Sequence, residues 1–332
     1  MLHINLKISK VFSILIFSGS FLSPGVGSAE SATPNFSDFV AEMVQVHNFD
    51  EAQLLKMFDG LKPNTRVLSA MSRPSTAKPW HEFKGLFLTK SRTEKGVKFW
   101  RENNKWLEKA KSVYGVPPEI IVAIIGVETI YGRRLGSFKV LESLYTLGFK
   151  GKRRRAFFTK ELKEFLILCR ENNLDTMTVS GSFAGALGMP QFMPSSYRAY
   201  AVDFDEDGRI DLWNSVGDII GSVANYLKVH GWIADGEVVV RAKLLTKEAF
   251  KLTKRGVKPH IIVSDLQKRG VQLKKDIPTS TDAAIFWLQG VGKRHYWVSF
   301  KNFYVITRYN RSLNYALVVY QLAQRIKGKY QG

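Results

Sequence analysis

Residues 117–128 read Pro-Pro-Glu-Ile-Ile-Val-Ala-Ile-Ile-Gly-Val-Glu, a helix with no polar face. Proline is at home in a first helical turn, where its missing N–H would have had no partner. A helix apolar on every side has to be surrounded by other elements, so this segment is expected at the centre of the fold. The 332 residues are 45% hydrophobic, enough to bury such a helix within two or three packed units and to exclude a disordered chain.

The flanking patterns supply the surroundings. Apolar residues recur at helical spacing from Phe36 to Met57, where Ser37 or Asp50 would cap a turn, and from Ser91 to Val113. Further helices are expected at Leu141–Leu147, Ala156–Glu171, Ser195–Ala201, Val216–His230 and Ser312–Ile326. After Gly231 and Trp232 the texture changes to short β-prone runs at Glu237–Leu244, His260–Val263, Ala283–Leu288 and Tyr296–Val298. The fold class is therefore mainly α (α+β). Its expected divisions are a helical N-terminal domain over 30–90, a core over 91–235 and 300–332, and a small β-rich insert over 236–299.

Met1 to Ala29 has a basic start, an apolar run from Val11 to Leu22 and small residues at its end, the form of a cleavable export signal cut after Ala29. The apolar run is too short to span a bilayer. The chain's one cysteine, Cys169, is not at the signal's end, so neither a lipid anchor nor an internal disulfide is expected. Cys169 reads as a small buried apolar residue. Loss of Lys7 and Lys10 leaves 47 basic residues against 29 acidic ones, a formal charge of +18. Such a charge draws a protein to polyanions. Export makes nucleic acid an improbable partner and leaves the carboxylate-rich cell wall. The densest cluster, Lys150 to Arg155, is either a solvated loop or a patch facing substrate.

Glu128 closes the apolar run, with no Lys or Arg in the preceding turn to neutralise it. Desolvation disfavours its charged form, and a carboxyl kept neutral near pH 7 can protonate a leaving oxygen, as glycosidic cleavage requires. The competing reading is an ion pair with Arg133 or Arg134 one turn on. A glycoside hydrolase of the ordinary kind needs a second carboxylate. None accompanies this motif: Glu119 lies in an early helical turn and Glu142 in a separate helix.

Val127-Glu128-Thr129-Ile130-Tyr131-Gly132-Arg133, Gly181 to Tyr197 (GSFAGALGMPQFMPSSY), Tyr309-Asn310 and Tyr315 stand in an order that closely resembles the lytic murein transglycosylases of the B type. The resemblance runs from about Phe36 to the C terminus. It implies a lysozyme-like core with a deep cleft for peptidoglycan glycan strands, and it places Glu128 on the family's catalytic glutamate. Ser182, Gln191, Phe192, Tyr226, Tyr309, Asn310 and Tyr315 fall on muropeptide-contacting positions, with Arg153 a weaker candidate. Amides and hydroxyls suit sugar hydroxyls and N-acetyl groups, and aromatic faces suit a pyranose. The implied chemistry splits the bond between N-acetylmuramic acid and N-acetylglucosamine and leaves a 1,6-anhydro end without water. A hydrolytic muramidase and a non-catalytic wall-binding scaffold are the alternatives. The expected protein is a periplasmic monomer with no stable membrane anchor, for which other cell-wall enzymes are candidate partners.

Asp203-Phe204-Asp205-Glu206-Asp207-Gly208-Arg209-Ile210-Asp211 places acids at positions 1, 3, 5 and 9 of an EF-hand-like loop with glycine at position 6. Hard oxygen ligands at that spacing point to structural calcium, held by Asp203, Asp205, Asp207 and the backbone carbonyl of Arg209. Position 12 is Asn214 in place of glutamate. Asp218 would close the site, as a longer loop does in the family the chain resembles. The six histidines have no metal-ligand spacing, Gly181–Gly185 is no nucleophile elbow and Gly290–Arg294 is no phosphate loop, which sets aside zinc enzymes, serine hydrolases and nucleotide binders.

Overall fold

The computed structural model describes residues 35–72 and 78–332. The expected export signal lies outside the described residues. The helices α1 (Phe36–Gln45), α2 (Glu51–Phe58), α3 (Thr65–Ser72) and α4 (Trp80–Phe87) come first. The single pattern expected from Phe36 to Met57 is two helices, because Asn48 turns with φ +54° and Asp50 then caps α2 by accepting from Gln53 N. Asn35, not Ser37, caps α1. The Ser91–Val113 pattern is likewise divided, into α5 (Lys90–Glu102) and α6 (Asn104–Tyr114). Asn103 makes the break, its side-chain amide donating to the Phe99 carbonyl.

Helix α7 (Pro118–Thr129) follows, and every residue along it is buried except Glu128. It packs against α5 and α6, and against α11 (Val216–Val229) and α15 (Leu313–Gln331) from later in the chain. Truncating a fully buried member such as Ile124 to alanine would cost about 2–5 kcal/mol. A short antiparallel pair, β1 (Phe138–Lys139) and β2 (Ser180–Gly181), brackets α8 (Val140–Tyr145), a π-helical turn at Thr146–Lys150, and α9 (Arg155–Glu171). The α10 helix (Pro194–Tyr200) starts against α9, where the buried Glu161 accepts from the backbone and hydroxyl of Ser195. Cys169 is buried in α9, and burial pushes its thiol up to about 12, the behaviour of an inert packing residue.

The insert holds β3 (Val239–Leu244), α12 (Lys247–Leu252), β4 (Ile261–Ile262), α13 (Val263–Lys268), β5 (Val271–Leu273), β6 (Asp282–Gln289) and β7 (Arg294–Ser299). The five strands are antiparallel in the order β4-β6-β7-β3-β5. Alternation along them divides the sheet between two cores. Ala283, Ile285 and Val298 join α12 and α13 in a separate cluster, while Phe286, Leu288 and Trp297 belong to the main one. Phe286 stacks on Phe303 of α14 (Lys301–Tyr309), which leads back to α15. Among the described residues no single helix is long and apolar enough to cross a membrane.

Candidate active site

The last turn of α7 is held in an unusual shape. Ile130, Tyr131 and Gly132 all have positive φ, at +54°, +58° and +81°. A β-branched residue rarely adopts this region, and each strained residue costs about 1–3 kcal/mol, so the surroundings must enforce it. Tyr131 folds back over the helix, where a Cβ on Gly126 would lie 2.4 Å from its hydroxyl oxygen and one on Gly96 2.5 Å. Its hydroxyl donates to Arg92 O at 3.0 Å. The buried Thr129 completes the lock: its Oγ1 donates to Met189 O at 3.1 Å and accepts from Gly132 N at 3.1 Å. Glu128 is thereby fixed as the one partly exposed residue of α7 among the described residues.

The Glu128 carboxyl accepts a hydrogen bond from Tyr315 Oη at 2.6 Å. Burial raises it to about 7, against the opposing pull of that bond. The residue keeps partial exposure, so the carboxyl is desolvated without being sealed off. Glu128 forms no ion pair among the described residues, and neither Arg133 nor Arg134 neutralises it. Glu119, nearest of the earlier acids, pairs instead with Lys327 at 2.8 Å. Among the described residues, no second carboxylate shifts Glu128.

Aromatic residues from α11, α14, α15 and the loop before α10 build the wall beside it. Tyr309 and Tyr315 lie nearly parallel, 6.5 Å apart, and Tyr309 meets both Phe192 and Tyr226, at 5.7 and 4.9 Å. The Tyr309 hydroxyl donates to Pro190 O and that of Tyr226 to Arg308 O, each bond fixing a ring. Burial and the nearby Glu128 charge hold the Tyr309 and Tyr315 hydroxyls well above the ordinary phenol range, so they stay protonated donors. Gln191, in the left-handed region at φ +57°, donates through Nε2 to Leu135 O and Gly188 O.

Of the sequence-predicted contacts, Gln191, Phe192, Tyr226, Tyr309 and Tyr315 form this continuous assembly, with Asn310 at its edge accepting from Ser312 N. Ser182 is fully buried, and its hydroxyl accepts from Ala184 N and Ala186 N, which shapes the loop behind the wall. Arg153 lies on the exposed loop before α9. Sequence reasoning did not pick out Thr129 and Tyr131, which hold Glu128, or Tyr200 and His230, which pack against Tyr226. Gly96 and Gly126 were the available signal for Tyr131, since each marks a close approach.

In the acidic loop, Asp203, Asp205 and Asp218 bring one carboxylate oxygen each within 4.8 Å of one another. Asp218 is fully buried, raised by that burial and opposed by hydrogen bonds from Asp211 N and Phe204 N. None of the three is ion-paired with Lys or Arg among the described residues, so the converging charges suit a hard divalent cation. Asp207 Oδ1 accepts instead from Arg209 N, and Asp207 is not part of the convergent trio.

A helical body with one desolvated acid at the end of its central helix, flanked by tyrosines and lacking a partner carboxylate, defines a lysozyme-like class of glycan-cleaving site. Residues 31–324 match the transglycosylase SLT domain family, and the chain belongs to it. It is 41% identical over 311 residues to the membrane-bound lytic murein transglycosylase B of Escherichia coli K12, covering 91% of this chain and 85% of that protein. The soluble lytic transglycosylase SltB1 of Pseudomonas aeruginosa superposes with a TM-score of 0.83 at 44% identity, over 90% of this chain and 100% of that one. The E. coli lytic transglycosylase Slt35, solved in complex with calcium, superposes with a TM-score of 0.80 at 38% identity, over 92% and 96%.

Proposed function

We propose that this protein is a peptidoglycan lytic transglycosylase in which Glu128 acts first as acid and then as base. The observation that carries this reading is the lone Glu128 carboxyl, raised to about 7 with no second carboxylate acting on it. Neutral Glu128 protonates the oxygen joining N-acetylmuramic acid to N-acetylglucosamine, and the C1–O bond breaks as N-acetylglucosamine leaves. The 2-acetamido carbonyl oxygen stabilises the positive charge at C1. The ionised Glu128 then takes the proton of the 6-hydroxyl while its oxygen bonds to C1, closing the 1,6-anhydro ring. Glu128 ends protonated, and no water is consumed.

Tyr315 supports both states. Its hydroxyl bond to Oε1 steadies the carboxylate between the two proton transfers and orients the acid. The partly exposed Tyr309 offers its ring to the sugars with the buried Phe192 and Tyr226 packed behind it, and Gln191, Asn310, Ser182 and Arg153 supply polar contacts or shape the surfaces that do. Asp203, Asp205 and Asp218, with Asp207 and the Arg209 carbonyl completing the set, would hold calcium, which would brace the loop before α11. Action on peptidoglycan implies work in the cell envelope, and an N-terminal export signal would deliver the protein to the periplasm.

Digestion of purified sacculi with wild-type protein and with Glu128→Gln, read by mass spectrometry, tests the proposal. Wild type should release anhydro-ended muropeptides and the variant none, while the variant still sediments with sacculi. Turnover by Glu128→Gln, or products with reducing ends, would overturn it.

A further inference from the structure

We propose that Arg241, His295, Lys293 and Lys84 form a subsite, between α4 and the turn end of the β6–β7 hairpin, for the carboxylates of the peptide stems that peptidoglycan strands carry. The inference deepens the proposed function and rests on it. Arg241 on β3 faces Trp297 on β7 in register, and its guanidinium lies over the indole at 4.3 Å. Its Nη1 stands 2.8 Å from His295 Nδ1. A guanidinium only donates, so His295 accepts with a neutral Nδ1. Burial lowers the imidazole, and the charges of Arg241, Lys293 and Lys84 push it further the same way. Arg241 thus stands between a neutral imidazole and an indole face, with the positive charges of Lys293 and Lys84 acting on the same ring.

Among the described residues, none of Arg241, Lys293 and Lys84 forms an ion pair. Three of the insert's acids are committed to other cations: Glu237 pairs with Lys275, Glu248 with Arg269 and Asp265 with Lys268. On α4, Glu82 pairs with Lys78. The indole N–H of Trp297, a residue only 5% exposed, also has no acceptor. Gathered like charges repel, and a bound anion relieves that repulsion. Arginine's planar fork matches a carboxylate, with the lysines adding attraction from the rim.

The cluster is built, not incidental. A Cβ on Gly290 would meet His295 Nε2 at 2.3 Å, so the glycine lets the imidazole pack onto the hairpin turn, and Gly290 N donates to Lys293 O. It also lies beside the segment that leads into α4 and on to the start of α15. His81 Nδ1 reaches Gln289 O at 3.5 Å, and at the start of α4 Lys78 O accepts from Asn314, the residue before Tyr315. The 78–81 segment therefore links the hairpin turn to the first turn of α15, one residue before Tyr315.

The test compares soluble stem-bearing glycan strands with the same strands after their stem carboxylates are converted to amides. Wild type should cleave the carboxylate form with about five- to tenfold higher kcat/KM at low salt, as expected for a few part-exposed charge contacts. The triple variant Arg241→Gln/Lys293→Gln/Lys84→Gln should bring that ratio close to one. A control neutralising Lys98, Arg101 and Lys105, exposed on α5 and α6, should keep the wild-type ratio. A triple variant that retains the preference, a wild type that shows none, or a control that loses it equally would overturn the subsite. Absence of anhydro products from both substrates with wild type would instead show that the proposed activity itself is wrong, and the subsite with it.

Discussion

Tyr315→Phe removes one oxygen atom and with it the hydrogen bond to Glu128 Oε1. That bond favours the ionised carboxylate and pulls against the burial that raises Glu128 to about 7. Hydrogen bonds to charged groups contribute about 1.5–3 kcal/mol, and one pKa unit corresponds to about 1.36 kcal/mol, so its loss should raise the carboxyl by roughly one to two units. The acid is the form that starts the reaction, so the alkaline limb of kcat/KM against pH should move upward, from near 7 to about 8 or beyond. Release of anhydro muropeptides from a soluble substrate, followed between pH 5 and about 9.5, reads the limb directly. An unmoved limb, or one shifted downward, would refute the assignment of that limb to Glu128 and of the carboxylate-stabilising role to Tyr315.

Glu128 should also mark the stability profile. Its folded value lies above the ordinary 4.5, so its contribution is fully present below 4.5 and lost as pH rises through about 7. Glu128→Gln should therefore match wild type near pH 4 and exceed it above pH 7 by up to roughly 3 kcal/mol, measurable by urea unfolding at both pH values. Calcium should raise the wild-type Tm, by the equivalent of about 2.7 kcal/mol at a hundredfold excess over Kd, and should do little for Asp203→Asn/Asp205→Asn; equal responses would deny the site. Thr129→Val leaves Met189 O and Gly132 N without their buried partner, a loss of roughly 2–4 kcal/mol with a fall in kcat. Thr129→Ser should restore both, and failure of that rescue in kcat would limit Thr129 to packing.

The central helix was legible because its signal is local: an apolar run behind Pro117-Pro118 can go nowhere but the core, and Glu128 stands out as its one polar terminus. The edges of helices were less so. Periodicity carries straight through Asn48 and Asn103, and only the left-handed turn of one and the side-chain bond of the other show where the chain breaks. Four β-prone runs became strands, but Val271–Leu273 was missed, since three residues give alternation too little length to register. The residues that hold the site were harder still. Thr129 and Tyr131 act through partners 60 and 39 positions away in sequence, Met189 and Arg92, so no local pattern reveals them. Asp218 is a different case: fully buried and receiving amides from the loop, it stands beside Asp203 and Asp205, while Asp207, outside that trio, accepts from Arg209 N much as Asp203 accepts from Gly208 N.

A lone carboxyl that protonates the leaving oxygen and then takes a proton from the substrate leaves no role for solvent. Digesting sacculi in water enriched in oxygen-18 measures this directly, because a hydrolase must place a solvent oxygen on C1 of each new reducing end. Unlabelled anhydro ends from the wild type, and no new ends from Glu128→Gln, are the expected result. Reducing ends carrying the heavy isotope, or any label acquired with Glu128 intact, would contradict it.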